Sequence, residues 1–396
     1  MRSIRFLIPL LLLVCVQAGL YLSIREVFLP RPDQARARVR LILAQLLAAA
    51  FFVSFLFASR QGFALPAPLR RFVVEPLLAL ETISVPLMLL LGLGISVAHR
   101  FPARRREETK SSAGFAGALP QPRRLVLARA ATGLVGIAAA AAAAGIAEAE
   151  LDPVLSRHDI PIRGLHPDLD GVTIVQLSDI HAGTLMTFER MRRIARAAAA
   201  LTPDLVFFTG DLLDVSAKAA APFANAFRDL HGRLGTFAVF GNHDYFAGAQ
   251  VASRAIHDAG ATLLRNSGAR VQRGSGSLFL GGLDDPSRGS LGIDAQRALK
   301  AAAPEEPRIV LAHRPSLFDL CARQGAQLVL SGHTHGGQFA LSPRWSLARA
   351  LGPRTMGLYR SGAATLYVHR GMGTVGPVPM RLGSPPEIAF FTLRRV

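Results

Sequence analysis

Five short polar segments of this chain carry the residue types that bind divalent cations, and each follows an apolar run. They are Ser178-Asp179-Ile180-His181, Gly210-Asp211-Leu212-Leu213-Asp214, Gly241-Asn242-His243-Asp244, Ala312-His313-Arg314-Pro315 and Gly332-His333-Thr334-His335-Gly336-Gly337-Gln338. Carboxylate oxygens mixed with imidazole nitrogens suit borderline ions such as Mn, Fe or Zn. Asp211 can bridge two ions with its two oxygens, and Asn242 offers a neutral one. Asp179 and His181 are two apart at a strand end, where extended backbone would point both one way, and His333 and His335 share that spacing on one turn. Two neighbouring ions lower the pKa of a bound water and neutralise charge on attacking and leaving oxygens. An imidazole can then protonate the leaving oxygen. Such chemistry needs no Ser, Cys or Thr nucleophile.

To converge, these segments must be carried by a common scaffold. Apolar runs at 172–177, 205–209, 236–240, 278–280, 308–311 and 328–330 read as buried strands, with helix-like stretches such as 187–201 and 222–230 between them. That alternation predicts an α/β sheet with helices on its faces, whose ligands gather at the carboxyl ends of the strands. Gly210, Gly241, Gly332, Gly336 and Gly337 allow tight turns and positive φ where donors crowd together. Taken singly, a strand-end Asp is a helix cap, a His a satisfied core residue and Gly-Asn a turn. Their joint occurrence behind five runs points to a metal centre instead.

As a set, Asp-x-His, Gly-Asp-x-x-Asp, Gly-Asn-His-Asp, His and Gly-His-x-His resembles the calcineurin-like metallophosphoesterases, over roughly 172–396. The resemblance implies a four-layer αββα sandwich of two mixed sheets, and a dinuclear centre whose bridging hydroxide attacks phosphorus. It would give Asp179, His181, Asp211 and His335 to one ion, and Asp211, Asn242, His313 and His333 to the other. His243 would protonate the leaving oxygen, oriented by Asp214. Arg314 either binds a substrate phosphate or is a structural charge; Tyr245 either lines the site or packs. His257, in a helix-like stretch, is a poorer candidate.

The first 150 positions have another character. Half the 396 residues are hydrophobic, mean hydropathy is +0.31, and the apolar residues mass at 6–24, 41–58, 76–97 and 130–147. Spans of about 20 apolar residues match the hydrocarbon thickness. We expect an all-α transmembrane bundle of about four helices in residues 1–150, followed by a catalytic domain in 151–396.

The formal net charge of +18 sits largely in arginines between the apolar runs, at 25–40 and 100–124. That pattern argues for a lipid bilayer and against nucleic acid as the partner. The positive-inside bias predicts a multi-pass protein of a bacterial plasma membrane with its catalytic domain outside the cytoplasm. Two cysteines, Cys15 and Cys321, make a disulfide framework improbable.

The anchor, with the tail from Tyr367-Val-His-Arg-Gly-Met-Gly to Pro385-Pro386-Glu387, is similar to a bacterial membrane-associated branch of the family. Some of its members cleave the pyrophosphate of UDP-2,3-diacylglucosamine, and others are exported by the twin-arginine route, of which Arg123-Arg124 is reminiscent. A UDP-lipid is cytoplasmic, so that implication conflicts with the topology. The expected activity is hydrolysis of a phosphodiester or pyrophosphate, on a lipid or envelope substrate. Two competing readings are a catalytically silent, metal-stabilised module on a membrane bundle, and a transporter with a regulatory head, hinted at by Glu81 alone.

Overall fold

A computed structural model describes residues 137, 140–183, 185–287, 289–342, 345–346, 348–349, 352–375 and 379–396. The first three apolar runs, half of the fourth, both arginine blocks, Glu81 and Arg123-Arg124 lie outside these residues. Among the described residues no helix is long and apolar enough to cross a membrane. Nearly all of them belong to one compact unit, Ala144–Val375 with Pro379–Val396.

Two mixed six-stranded sheets form that unit. The first runs in the order β1 (Val154–Ile162), β14 (Glu387–Arg395), β2 (Thr173–Leu177), β3 (Leu205–Thr209), β4 (Gly235–Val239) and β5 (Thr262–Leu263). Within it only β14 and β2 pair antiparallel. The second runs β12 (Gly357–Ser361), β13 (Ala364–Val368), β9 (Leu328–Ser331), β8 (Arg308–Leu311), β7 (Gly276–Gly282) and β6 (Ser267–Arg273). Here the two outer pairs are antiparallel and the inner ones parallel. A small hairpin, β10 (Ala340–Ser342) with β11 (Trp345–Ser346), stands apart.

Strand alternation explains the layers. Ile174, Leu205, Phe207, Phe237 and Val239 point inward to meet Leu278, Leu280, Ile309, Leu328 and Leu330 of the other sheet. Their neighbours Val175, Leu177, Val206, Phe208 and Ala238 point outward, under helices α1 (Phe188–Ala199), α2 (Ala220–Phe227) and α4 (Ala249–Asp258). A short helix, α3 (Asn242–Ala247), precedes α4. On the far side α5 (Ala295–Leu299) and α6 (Phe318–Arg323) cover Phe279, Val310, Val329 and Leu366. The order is helix, sheet, sheet, helix, and the inner strands are apolar throughout because both faces are covered.

Three described side-chain devices tie the ends of this sandwich. Thr187 caps α1, accepting from Arg190 N at 3.3 Å, and Asp294 caps α5, accepting from Arg297 N at 2.8 Å. Glu387, at the start of β14, is buried and accepts from Ser156 Oγ (2.5 Å), Tyr367 OH (2.6 Å), Arg370 N (2.9 Å) and Arg370 Nη2 (3.0 Å).

Burial opposes ionisation of Glu387, but His369, Arg370 and the hydrogen bonds outweigh it and hold the carboxyl at about 2 against an ordinary 4.5. A folded-state value below the unfolded one means stability that is present above pH 4.5 and lost as pH falls through about 2. Urea unfolding at pH 7 and pH 3 should show Glu387→Gln losing part of the native chain's acid sensitivity. An unchanged pH slope would refute this role for Glu387.

Candidate metal centre

All five polar segments lie at carboxyl ends of parallel strands, three from the first sheet and two from the second. Asp179 and His181 follow β2, Asp211 follows β3, Asn242 and His243 open α3 after β4, His313 follows β8, and His333 and His335 follow β9. Backbone bonds lock the loops to one another: Asp179 N to Gly210 O (3.0 Å), His181 N to Asp211 O (3.0 Å), Gly332 N to His313 O (2.9 Å) and Gly373 N to Asp179 O (2.7 Å).

Extended backbone does not align the paired donors, contrary to the expectation from spacing. Asp179 (φ 51°), His181 (48°), Asp211 (52°), His333 (72°) and His335 (53°) are all left-handed. These are five of the eight non-glycine residues with positive φ among the described residues. Each such residue costs roughly 1–3 kcal/mol, and such strain collects at functional sites. Glycine acts in two ways here. Gly210 takes the left-handed φ of 91°, whereas Gly332 gives room, since a Cβ there would overlap Ser178 Oγ and Asp179 Oδ2.

The donors converge in two overlapping groups. In the first, His181 Nε2 lies 3.0 Å from His335 Nε2, and His335 Nε2 lies 3.3 Å from Asp179 Oδ1. In the second, His313 Nε2 is 3.2 Å from Asp211 Oδ2, and His333 offers a nitrogen to the same cluster. Asp211 Oδ2 is also 3.7 Å from His181 Nε2, so it touches both groups. Donors about 3 Å apart can share an ion whose metal–nitrogen bonds are about 2.1 Å.

The protonation pattern supports the fit to cations. His313 Nδ1 donates to Thr209 O at 2.8 Å, and its buried Nε2 faces the Asp211 carboxylate with no hydrogen bond of its own. Two acceptors that face one another need a cation between them. With only a proton to serve, burial pulls His313 down, but the Asp211 charge outweighs it and raises the imidazole to about 10. Burial, with His313 and Arg314 nearby, drops His333 to about 3. Burial and His181 likewise hold His335 well below its ordinary value. Those two imidazoles therefore present lone pairs. Asn242 Oδ1 and His181 Nδ1 are also buried without a hydrogen-bond partner, and such orphaned atoms call for one.

His243 stands over this cluster. Its ring is edge-on to His181 at 4.5 Å, its amide donates to Asp211 Oδ1 at 2.8 Å, and its Nδ1 pairs with Asp214 Oδ1 at 3.0 Å. It also lies within shared-ligand distance of His181 and Asp211. Arg314 is brought beside the second group, with Nη1 3.5 Å from His333 Nε2. Tyr245 is not free: its hydroxyl donates to Asp284 Oδ1 (2.5 Å) and accepts from Arg265 Nη2 (2.9 Å). No spare phenol is therefore left for a substrate. His257 is exposed on α4.

Several structural residues of the site escaped sequence reasoning. Asp244 accepts from Leu212 N, Leu213 N and Gly241 N at 2.8–3.0 Å, strapping the β3 and β4 loops together. Burial and the nearby Asp211 charge raise it to about 7. Its place as the third residue of α3 was the available signal. Arg381 is wholly buried and donates to the carbonyls of Arg370, Gly373 and Ser384. Nothing local in the sequence marks it.

Two mixed sheets between helices, with Asp and His donors on the strand-end loops, define a metallophosphoesterase-like architecture. Residues 172–337 match the family model described as calcineurin-like phosphoesterase. An uncharacterized metallophosphoesterase of Aquifex aeolicus is 31% identical over 228 residues, 56% of this chain and 85% of that protein. The chain belongs to the calcineurin-like phosphoesterase family. It is also similar to proteins named transmembrane protein with metallophosphoesterase domain. The one from Danio rerio is 35% identical over 271 residues, 65% of this chain and 61% of the relative. That from Bos taurus is 32% identical over 293 residues, 70% of this chain and 65% of the relative. The chain thus spans under two thirds of these two relatives.

Proposed function

We propose that this chain is a membrane-anchored, dinuclear metal-dependent phosphoesterase that hydrolyses a phosphodiester or pyrophosphate bond. The observation that carries the reading is Asp211, whose Oδ2 is common to the His313 group at 3.2 Å and the His181 group at 3.7 Å. Asp179, His181, Asp211 and His335 would hold one ion, and Asp211, Asn242, His313 and His333 the other. When bound, such a pair lowers the pKa of water and neutralises phosphoryl charge. The protein supplies the rest. Asp179 is fixed by two bonds from His333 N, at 2.9 and 3.1 Å. Burial opposes ionisation of Asp211, but the imidazoles of His313, His181 and His243 outweigh it and hold that carboxyl well below its usual range.

His243 is the proton donor in this scheme, held through Nδ1 by Asp214, and Arg314 meets a phosphoryl oxygen. The catalytic body is residues 151–396, and the apolar runs in 1–150 are its anchor. Support for the anchor comes from those runs and from the names of the Danio and Bos relatives. An anchored site favours a substrate embedded in the same bilayer, such as a lipid-linked phosphodiester or pyrophosphate, and the arginine pattern supports a catalytic domain outside the cytoplasm. The His243–Asp214 pair, which a metal-holding scaffold alone would not need, speaks against a silent module.

The full chain, purified in detergent, should bind two Mn ions and hydrolyse bis(p-nitrophenyl) phosphate. Chelation should stop turnover and added Mn restore it. A protein that holds two ions yet turns over neither phosphodiesters nor pyrophosphates would defeat the reading.

A further inference from the structure

The loop after β7 carries two consecutive aspartates, Asp284 and Asp285, whose side chains are fully buried. Each grips an arginine whose side chain is 28% exposed. Asp284 Oδ2 accepts from Arg265 Nη2 at 3.1 Å, and Tyr245 donates to its other oxygen. Asp285 takes Arg314 in a two-pronged grip, Nε to Oδ2 at 2.8 Å and Nη2 to Oδ1 at 3.2 Å. Ser287 Oγ also donates to Asp285 Oδ1.

A buried carboxylate is costly unless its oxygens are hydrogen-bonded. Asp285 spends both oxygens on one guanidinium and one hydroxyl. Its partner is the residue next to His313, on a different strand end, 29 positions away. An unrestrained arginine loses rotamer entropy when it is held, and a planar fork fixes it far better than a single contact. With Nε and Nη2 held by Asp285, Nη1 is the nitrogen that Asp285 leaves over; it lies 3.5 Å from His333 Nε2, at the limit of a hydrogen bond, and keeps a second N–H to donate. The grip therefore aims the free end of the guanidinium at the edge of the His313/His333 group.

We propose that Asp285 is a positioning residue, which holds Arg314 so that its Nη1 end meets an unesterified oxygen of the substrate's phosphoryl group. This inference rests on the phosphoesterase reading above. Asp285 itself touches no substrate; it acts through Arg314. The pairing makes the site selective for groups that present an anionic oxygen beyond those neutralised at the metal donors, so phosphoryl compounds are favoured over neutral esters.

The test compares D285N, R314A and the double variant, each loaded with Mn, on bis(p-nitrophenyl) phosphate. Each single variant should lose about 10–100-fold in kcat/KM, as is usual for groups that orient site residues. Bound Mn should stay at two per chain. The double variant should lose no more than the worse single, because the two side chains act as one unit. Calorimetric binding of inorganic phosphate to the loaded protein should weaken in parallel. Added guanidinium ion should restore turnover of R314A saturably, and should fail with D285N/R314A.

Turnover of D285N within twofold of the unaltered chain would overturn the inference, as would additive losses or equal guanidinium rescue with and without Asp285. If D285N does not fold, R314A decides alone: saturable rescue supports the clamp, and absent rescue removes it. Should the unaltered chain turn over no phosphoester, the broader reading fails. Phosphate affinity in D285N against the unaltered chain would still judge the clamp, weaker binding supporting it and equal binding refuting it.

Discussion

Asp211→Asn should lower turnover of bis(p-nitrophenyl) phosphate by about three orders of magnitude, corresponding to about 4 kcal/mol of lost transition-state stabilisation. Asp211 reaches donors of both groups, so its loss weakens both sites at once. The substitution keeps the shape, and the amide of His243, which donates to Asp211 Oδ1 at 2.8 Å, would still find an oxygen there. Folding should therefore survive. What disappears is the negative charge opposite His313 Nε2 at 3.2 Å and near His181 Nε2 at 3.7 Å. Mass spectrometry of bound metal should show fewer than two ions per chain, and circular dichroism an intact fold. Native activity in purified, metal-loaded Asp211→Asn would sink the proposed mechanism.

The inner strands were legible in the sequence because burial on both faces makes them continuously apolar: 205–209 and 308–311 match β3 and β8 residue for residue. The strands at the sheet edges were not. β6, Ser-Gly-Ala-Arg-Val-Gln-Arg, has one buried residue in seven and no apolar run to betray it. β1 is exposed along its first half and carries Arg157, His158 and Asp159.

At the site, residue types and order were enough to find the donors, which the fold brings to one place. Their local geometry was not legible, because left-handed φ at Asp179 and His181 is imposed by the crossing bonds to Gly210 and Asp211, not by the tripeptide itself. Residues that work through distant partners were equally silent. Asp285 finds Arg314 29 positions on, and Arg381 finds His335 46 positions back. Patterns in sequence reveal local periodicity and donor type, whereas such pairs exist only once two sheets have been laid face to face.

His243→Gln should separate proton donation from metal binding. Asp214 is kept ionised: burial opposes this, but the nearby imidazoles of His181 and His243, the latter hydrogen-bonded to it, pull its carboxyl far below the ordinary range. An ionised Asp214 Oδ1 at 3.0 Å can only accept, so Nδ1 of His243 carries the hydrogen between them. Nε2 is then the nitrogen that exchanges a proton with the substrate, and Gln has no group that can replace it in that role. For a phosphodiester with an alkoxide leaving group, the loss in kcat should be about 10²–10⁴-fold, the usual worth of a positioned acid. With p-nitrophenolate, which departs without a proton, the loss should be far smaller, while two ions stay bound. Parallel rates on an alkyl and a p-nitrophenyl ester of the same phosphodiester read this difference directly. Equal losses on both would mean that His243 serves as a ligand beside His181 and Asp211, the other position its nitrogen can reach.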